Sequence, residues 1–250
     1  MSLGMSGKVA IVTGGSSGIG RAAAIELARQ GAKVIVAARR ESEGEVTVQQ
    51  VEAAGGEGFF IKTDVTKAAD IEALINQTLQ AYSRLDCVFN NAGSGKAASL
   101  VELSEQGWDL ELNVNLKAVW LSMKYEIPAM LKSGGGAIVN MASQGGGVIG
   151  VPNFASYTAA KGGVVALTRT AAMEYGGQGI RVNCVSPGLI LTDLLAEVPQ
   201  DTLQQMETSV PLKRGGKPEE VAKAVVWLCS DDASYITGHN LVIDGGYTVQ

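Results

Sequence analysis

The sequence predicts one α/β domain with a doubly wound, mostly parallel sheet of about seven strands and helices on both faces. Three observations carry this reading. Short β-branched runs alternate with helical patterns along all 250 residues, and no Pro/Ser-rich linker, low-complexity tract or repeat divides the chain. The first such unit, strand–turn–helix–strand over residues 8–38, has the ~30-residue length that a right-handed βαβ crossover needs. Glycine is abundant, at 32 residues, and aromatics are few, at 5%, which suits tight strand-to-helix turns in a parallel sheet.

The elements follow in order. Residues 8–12 are a β-branched strand that enters a glycine-rich turn, and a helical pattern over 21–30 is stopped by Gly31 before the strand at 34–38. Helices are then expected at 42–54, 67–83, 99–132, 155–175 and 218–229, with strands at 58–62, 86–89, 137–142, 180–185 and 240–243. The domain is expected to span 1–250, with 1–6 a flexible N-terminus in which Met1-Ser2-Leu3-Gly4, ahead of a second Met, reads as a cloning remnant. A net charge of -5 and a pI near 5.0 argue against nucleic acid or an anionic membrane as the main partner. No apolar run approaches the ~18 residues of a membrane span and no signal peptide is expected, so a cytoplasmic location is. Cys87, Cys184 and Cys229 are widely separated, lack metal-ligand spacing, and read as reduced core thiols.

Ligands of doubly wound sheets sit at the carboxyl ends of the strands. At the end of the first strand, Gly14, Ser16, Ser17, Gly18, Ile19 and Gly20 form a loop whose glycines let backbone pass close to a pyrophosphate and direct it to a helix amino end. The spacing T-G-x-x-x-G-x-G lacks the Lys-Ser/Thr of a P-loop. Asp64 and Val65 close the third strand, where an adenine edge can be received, and Asn91, Ala92 and Gly93 close the fourth, where ribose can lie flat on small residues. Pro187 and Gly188, with Thr192 beyond them, close the sixth and can hold a carboxamide or phosphate. Each alone also reads as a turn or cap. A rival lies inside the loop: 14–18 matches the G-x-S-x-G nucleophile elbow, with Asp193 and His239 following in hydrolase order. That reading needs an oxyanion loop ahead of the elbow, and His239 reads more simply as a turn residue.

Tyr157 and Lys161 are four residues apart and share a helix face. A phenol titrates near ~10, about three units above what acid–base work at neutral pH wants, and that shift corresponds to roughly 4 kcal/mol. An ammonium about 5 Å away supplies roughly 3 kcal/mol at an effective dielectric of ~20, so Lys161 can lower the Tyr157 pKa. Ser143 would then offer its hydroxyl to a carbonyl oxygen that Tyr157 protonates. Taken alone, the pair also reads as a surface Tyr and Lys.

Taken together, Thr13-Gly14, Gly18, Gly20, Asp64, Asn90-Asn91-Ala92-Gly93, Asn115, Ser143, Tyr157, Lys161, Pro187-Gly188 and Asp244-Gly245-Gly246 resemble the short-chain dehydrogenase/reductase family in its single-domain, Rossmann-type form. The resemblance implies NAD(P)-dependent interconversion of an alcohol and a carbonyl, with a segment at about 189–213 closing over the substrate. It implies Tyr157 as general acid in reduction and base in oxidation, and Ser143 as hydrogen-bond donor to the substrate oxygen. Lys161 would bind the nicotinamide ribose and start a proton relay, and Asn115 would hold a water through a local helix distortion, with Asn113 a competitor for that place. The loop from Ser143 to Gly150 looks one residue longer and more Gly-rich than the family's usual link to the Tyr, so a relative's substrate does not carry over.

The second strand ends at Ala38, where an NAD-binding protein carries Asp or Glu on the ribose hydroxyls, and Arg39 and Arg40 follow, suited to a 2′-phosphate. NADP(H) is therefore expected over NAD(H). The lid stretch 189–198 is apolar with two acids, and Val148, Val151, Asn153 and Phe154 carry no cation, so a neutral, partly apolar alcohol, ketone or aldehyde is expected. Two alternatives stand beside this: a catalytically silent NAD(P)-binding regulator, which should lack Tyr157 or Lys161, and a 3-oxoacyl-carrier-protein reductase, against which Met173 stands where such enzymes often dock through a base. Apolar residues on several faces of 113–132 and 155–175, among them Val114, Leu116, Trp120 and Leu167, predict a homo-oligomer, a tetramer by the resemblance, or else deeper burial in the monomer.

Overall fold

The computed structural model describes residues 3–196 and 198–250, with only the backbone of Leu194. Met1 and Ser2 of the expected N-terminal remnant and Glu197 of the expected lid lie outside the described residues. All seven expected strands form: β1 (Val9–Thr13), β2 (Lys33–Ala38), β3 (Glu57–Lys62), β4 (Cys87–Asn90), β5 (Gly136–Met141), β6 (Ile180–Pro187) and β7 (Asn240–Ile243). They pair in parallel throughout, in the order β3-β2-β1-β4-β5-β6-β7. The order reverses between β1 and β4, which opens a crevice at the carboxyl ends of those two strands.

Alternation along β1 shows how the sheet is sandwiched. Ala10 and Val12 pack with Leu27 of α1 (Gly18–Arg29), Val51 of α2 (Glu41–Ala53) and Val221 and Val225 of α9 (Pro218–Cys229). Val9 and Ile11 face the other way, onto Leu74 of α3 (Ala68–Tyr82), Ile127 of α5 (Ala118–Lys132) and Val164 of α7 (Ala155–Tyr175). Both faces are covered, so the strands are apolar on both sides and show no polar alternation. The three cysteines are free and buried. No helix among the described residues is long and apolar enough to cross a membrane.

Three differences from the sequence reading have local causes. The helix expected over 99–132 begins only at α4 (Glu105–Leu112), because the Ser104 side chain caps it by accepting from Gly107 N at 3.1 Å. It is then broken by a π-helical turn, Asn113–Lys117, before α5. A further helix, α8 (Gln200–Ser209), lies in the expected lid stretch; it is polar overall and none of its residues is buried, so it does not stand out as a core-packing helix. Most apolar positions expected to face a second subunit are consumed by the monomer: Val119, Met123, Val164, Val165, Ala171 and Ala172 are core residues, and Leu116 and Leu167 pack against them. Trp120 remains 45% exposed.

Candidate active site

The glycine loop is shaped for an anion. Ser17 stands at the start of α1 in extended conformation and makes no side-chain cap bond, so the helix leaves amino-terminal N–H groups open at Gly18, Ile19 and Gly20. Gly14 and Gly18 hold φ of +64° and +52°, and a Cβ on Gly14 would lie 2.8 Å from Asn91 Nδ2. Asn91 Nδ2 donates to the carbonyls of Thr13 and Gly14 at 3.0 and 3.2 Å, and Thr13 Oγ1 accepts from Asn91 N and Ala92 N at 3.0 and 3.2 Å. These bonds stitch the ends of β1 and β4 across the crevice. At Gly93 a Cβ would lie 2.7 Å from Asn115 Oδ1 and 3.5 Å from Lys161 Nζ, so only glycine keeps that surface open. Free N–H groups, a flat glycine floor and a crevice at the switch point fit a dinucleotide.

The remaining strand ends are more varied. Arg40 Nη2 donates to Ser16 Oγ and Ser17 Oγ at 3.3 and 2.9 Å, while its Nη1 pairs with Glu43 at 3.1 Å. Arg39 is exposed and makes no side-chain hydrogen bond or ion pair among the described residues, and Ala38 beside it is buried. The Asp64 carboxylate accepts from Thr66 N and Thr66 Oγ1 at 3.1 and 2.7 Å, so it is engaged in its own turn, with Val65 half-buried within it. Thr192 packs its methyl over Gly18, 3.3 Å from where a Cβ would sit. Gly188, after Pro187, donates its N–H to Ile243 O at 3.0 Å.

Ser143, Tyr157 and Lys161 converge at the carboxyl end of β5. Ser143 follows the end of β5 and turns into α6 (Gln144–Gly147), its Oγ accepting from Gly145 N at 3.1 Å while its hydroxyl faces the Tyr157 phenol. The Tyr157 ring packs edge-on to Phe154 at 6.2 Å, and the Lys161 ammonium lies 5.6 Å from its centroid. Lys161 is 2% exposed and donates to Met141 O at 2.7 Å. The Gly-rich stretch has a packing reason: Gly146, at φ +91°, lies on the backbone of α7 between Thr158 and Gly162, where a Cβ would overlap the Thr158 carbonyl.

Asn115 sits in the π-turn, fully buried, where its Nδ2 donates to Ser94 O at 2.9 Å and its Oδ1 accepts from Ser94 N at 3.2 Å. The expected helix distortion is thus a π-turn that holds Asn115 against the loop after β4. Asn113 is only half-buried. One expectation fails. Burial pushes the Tyr157 phenol above its ordinary pKa and the nearby Glu111 carboxylate adds to that, while the Ser143 hydroxyl works in the opposite direction. The Lys161 ammonium is turned to the Met141 carbonyl and is itself pushed down to about 8 by burial. Glu111, which sequence reasoning missed, is buried; as a carboxylate in the last turn of a helix with several polar residues it gave no signal.

The hydrolase reading is excluded by topology. Ser16 follows the carboxyl end of β1, whereas His239 precedes the amino end of β7, and all strands run in one direction. His239 is a turn residue: its N–H donates to Asn183 Oδ1 at 3.0 Å and its carbonyl accepts from Cys184 N at 2.9 Å.

Comparison with known proteins agrees with this geometry. Residues 14–248 match the family model described as enoyl-(acyl carrier protein) reductase. The chain is 44% identical over 242 residues to a cyclohexanol dehydrogenase of Acinetobacter sp. (strain SE19), covering 96% of this chain and 95% of that protein. It is 38% identical over 245 residues to a 3-oxoacyl-acyl-carrier-protein reductase of Thermotoga maritima, covering 98% and 99%. The crystal structure of levodione reductase superposes with a TM-score of 0.94 at 35% identity, covering 97% of this chain and 98% of that one. With the glycine cradle, the switch-point crevice and these likenesses in hand, the chain belongs to the short-chain dehydrogenase/reductase family, whose members are NAD(P)-binding oxidoreductases.

Proposed function

We propose that this oxidoreductase interconverts a neutral alcohol and its ketone or aldehyde, prefers NADP(H), and uses Tyr157 as its general acid and base. The observation that carries the reading is the convergence of Ser143, Tyr157 and Lys161 beside the Gly93 floor. When bound, the nicotinamide supplies or accepts the hydride at the carbinol carbon. Ser143 offers its hydroxyl proton to the substrate oxygen, and Tyr157 gives that oxygen its phenol proton in reduction and takes it back in oxidation. Lys161 supports the nicotinamide ribose, and the π-turn at Asn115 holds a water for proton exchange with solvent.

The cofactor preference rests on Ala38, which puts no carboxylate beside the adenosine ribose, and on Arg39, whose guanidinium is unpaired and exposed. Arg40, held on Ser16 and Ser17, closes the same corner. NADP(H) is expected to bind at least ~10-fold more tightly than NAD(H), about 1.4 kcal/mol. Arg39→Ala should weaken NADP(H) alone, and Ala38→Asp with Arg39→Ala should reverse the order. Equal dissociation constants of the wild type, read by fluorescence titration, would reduce Arg39 to a surface charge.

The pocket mouth favours a neutral substrate. Phe154 flanks the Tyr157 side of the site, Val148 is exposed on the loop after Ser143, and Lys96 is the exposed cation of the loop between β4 and α4. The relative named for cyclohexanol, a neutral cyclic alcohol, points the same way. The relative named for 3-oxoacyl-carrier-protein reduction favours the second reading, an acyl thioester substrate. A panel of cyclic and linear ketones and alcohols, steroids, neutral sugars, phosphosugars and acyl thioesters, followed by cofactor absorbance, separates them. Turnover confined to neutral carbonyls or alcohols is expected; preference for a phosphosugar or a thioester would displace the neutral-substrate reading.

The chain is further expected to assemble as a tetramer through α5 and α7, with exposed Trp120 and Met173 on those helices. A light-scattering mass of about one chain at micromolar concentration would refute it.

A further inference from the structure

Glu111 lies one helical turn before Asn115 and is 5% exposed, an uncommon place for a carboxylate. Two neutral donors fix it: Asn115 Nδ2 reaches Oε2 at 3.0 Å, and Ser94 Oγ reaches Oε1 at 3.4 Å. The same Asn115 amide donates to the Glu111 carbonyl at 3.1 Å. One side chain therefore clamps the π-turn to the loop that carries Gly93, and Gly93 is bracketed by Asn115 and Lys161. Lys161 has no ion-pair partner at contact distance among the described residues; its ammonium meets only the neutral Met141 carbonyl. A buried ammonium without countercharge gives up its proton readily.

We infer that Glu111 is a positioning residue, the buried counter-charge of the Tyr157–Lys161 pair and the anchor of Asn115, and that it sets the pH range over which the pair keeps its proton. The inference rests on the reading of Tyr157 as proton donor. Its sign follows from charge alone: a carboxylate favours the protonated form of both neighbours. It adds to the upward push on the Tyr157 phenol and opposes the burial that lowers Lys161. Glu111 is raised by its own burial, against the pull of Ser94, Asn115 and Lys161. The other charged groups of the surrounding elements, Glu105 and Asp109 of α4, Lys117 of the π-turn and Lys96 of the loop, are exposed, where solvent screens them. From α7, Tyr157 and Lys161 are the titratable groups that face this end.

Glu111→Gln keeps the shape and the acceptor for Asn115 and removes the charge. The alkaline limb of kcat/KM for carbonyl reduction and the acid limb for alcohol oxidation should both move to lower pH, by about half a unit or more. Glu111→Asp, which retains the charge, should return the limbs towards wild-type positions even if the rate is reduced. Glu111→Met makes the same prediction as Gln and covers the case in which a buried amide does not fold. Limbs that stay in place while the rate falls in all three variants would make Glu111 merely structural and overturn the inference. So would a wild-type profile in Glu111→Gln. Tyr157→Phe assayed in parallel keeps the two readings apart: if it retains turnover the acid–base assignment itself fails, whereas its loss with unmoved limbs in Glu111→Gln sinks only the role of Glu111.

Discussion

Tyr157→Phe should lower turnover by at least ~100-fold, the scale of lost general acid–base catalysis, while cofactor affinity stays within a few-fold. The substitution removes one oxygen and little else. The ring keeps its edge-on contact with Phe154 at 6.2 Å, and Lys161 stays anchored on the Met141 carbonyl at 2.7 Å, so neither is stranded by loss of the hydroxyl. Burial pushes the phenol above its ordinary pKa, so on the proposed reading Tyr157 enters reduction with its proton in place. Oxidation needs the proton gone, and its rate should climb with pH. Because Tyr157 and Lys161 sit close together, the pH at which reduction fails belongs to the pair and not to either residue. Steady-state kinetics over pH, beside cofactor titration, checks both statements; turnover retained in Tyr157→Phe would mean that another group moves the proton.

The sheet was legible because the central strands are buried on both faces and so appear as apolar runs between turn residues, as in residues 180–185. The glycine loop was legible because positive φ at Gly14 and Gly18 and contact at Gly20 leave no other residue type available. What escaped was whatever depends on pairing across the fold. The π-turn is set by Asn115 reaching Ser94, which lies 21 positions earlier in the chain, and no local periodicity encodes that reach. Arg40 is indistinguishable from Arg39 in sequence, yet one is tied to two serines and the other makes no side-chain hydrogen bond among the described residues. A lowered Tyr157 pKa was expected chiefly from its spacing to Lys161. Burial and Glu111 push the phenol up instead, and neither is visible in an i, i+4 pattern. Glu111 and Glu126 look like polar positions of amphipathic helices until the fold turns them inward.

Glu126→Gln should stabilise the protein strongly above neutral pH. Glu126 is 1% exposed on α5; it accepts from Asn90 Nδ2 at 3.0 Å, and Asn90 in turn donates to Asn140 Oδ1 at 3.1 Å. No cation is within ion-pair distance among the described residues, and burial pushes the carboxyl up from 4.5 to about 8, with only the Asn90 bond pulling it down. The neutral acid carries a proton, and Asn90 Oδ1 of the same amide has no hydrogen-bond partner among the described residues. Below pH ~4.5 the carboxyl is protonated folded or unfolded and costs nothing. Between ~4.5 and ~8 the unfolded chain ionises it while the folded chain does not, so the folded state binds more protons and stability falls as pH rises. A shift of this size corresponds to about 5 kcal/mol of lost stability once pH passes ~8, and about 3 at pH 7. Gln supplies the same acceptor for Asn90 Nδ2 without an ionisation to suppress. The difference between variant and wild type in denaturant unfolding should therefore be small near pH 5 and grow steadily to pH 8. Parallel curves across that range would show that Glu126 is charged in the folded state and has found a partner other than Asn90.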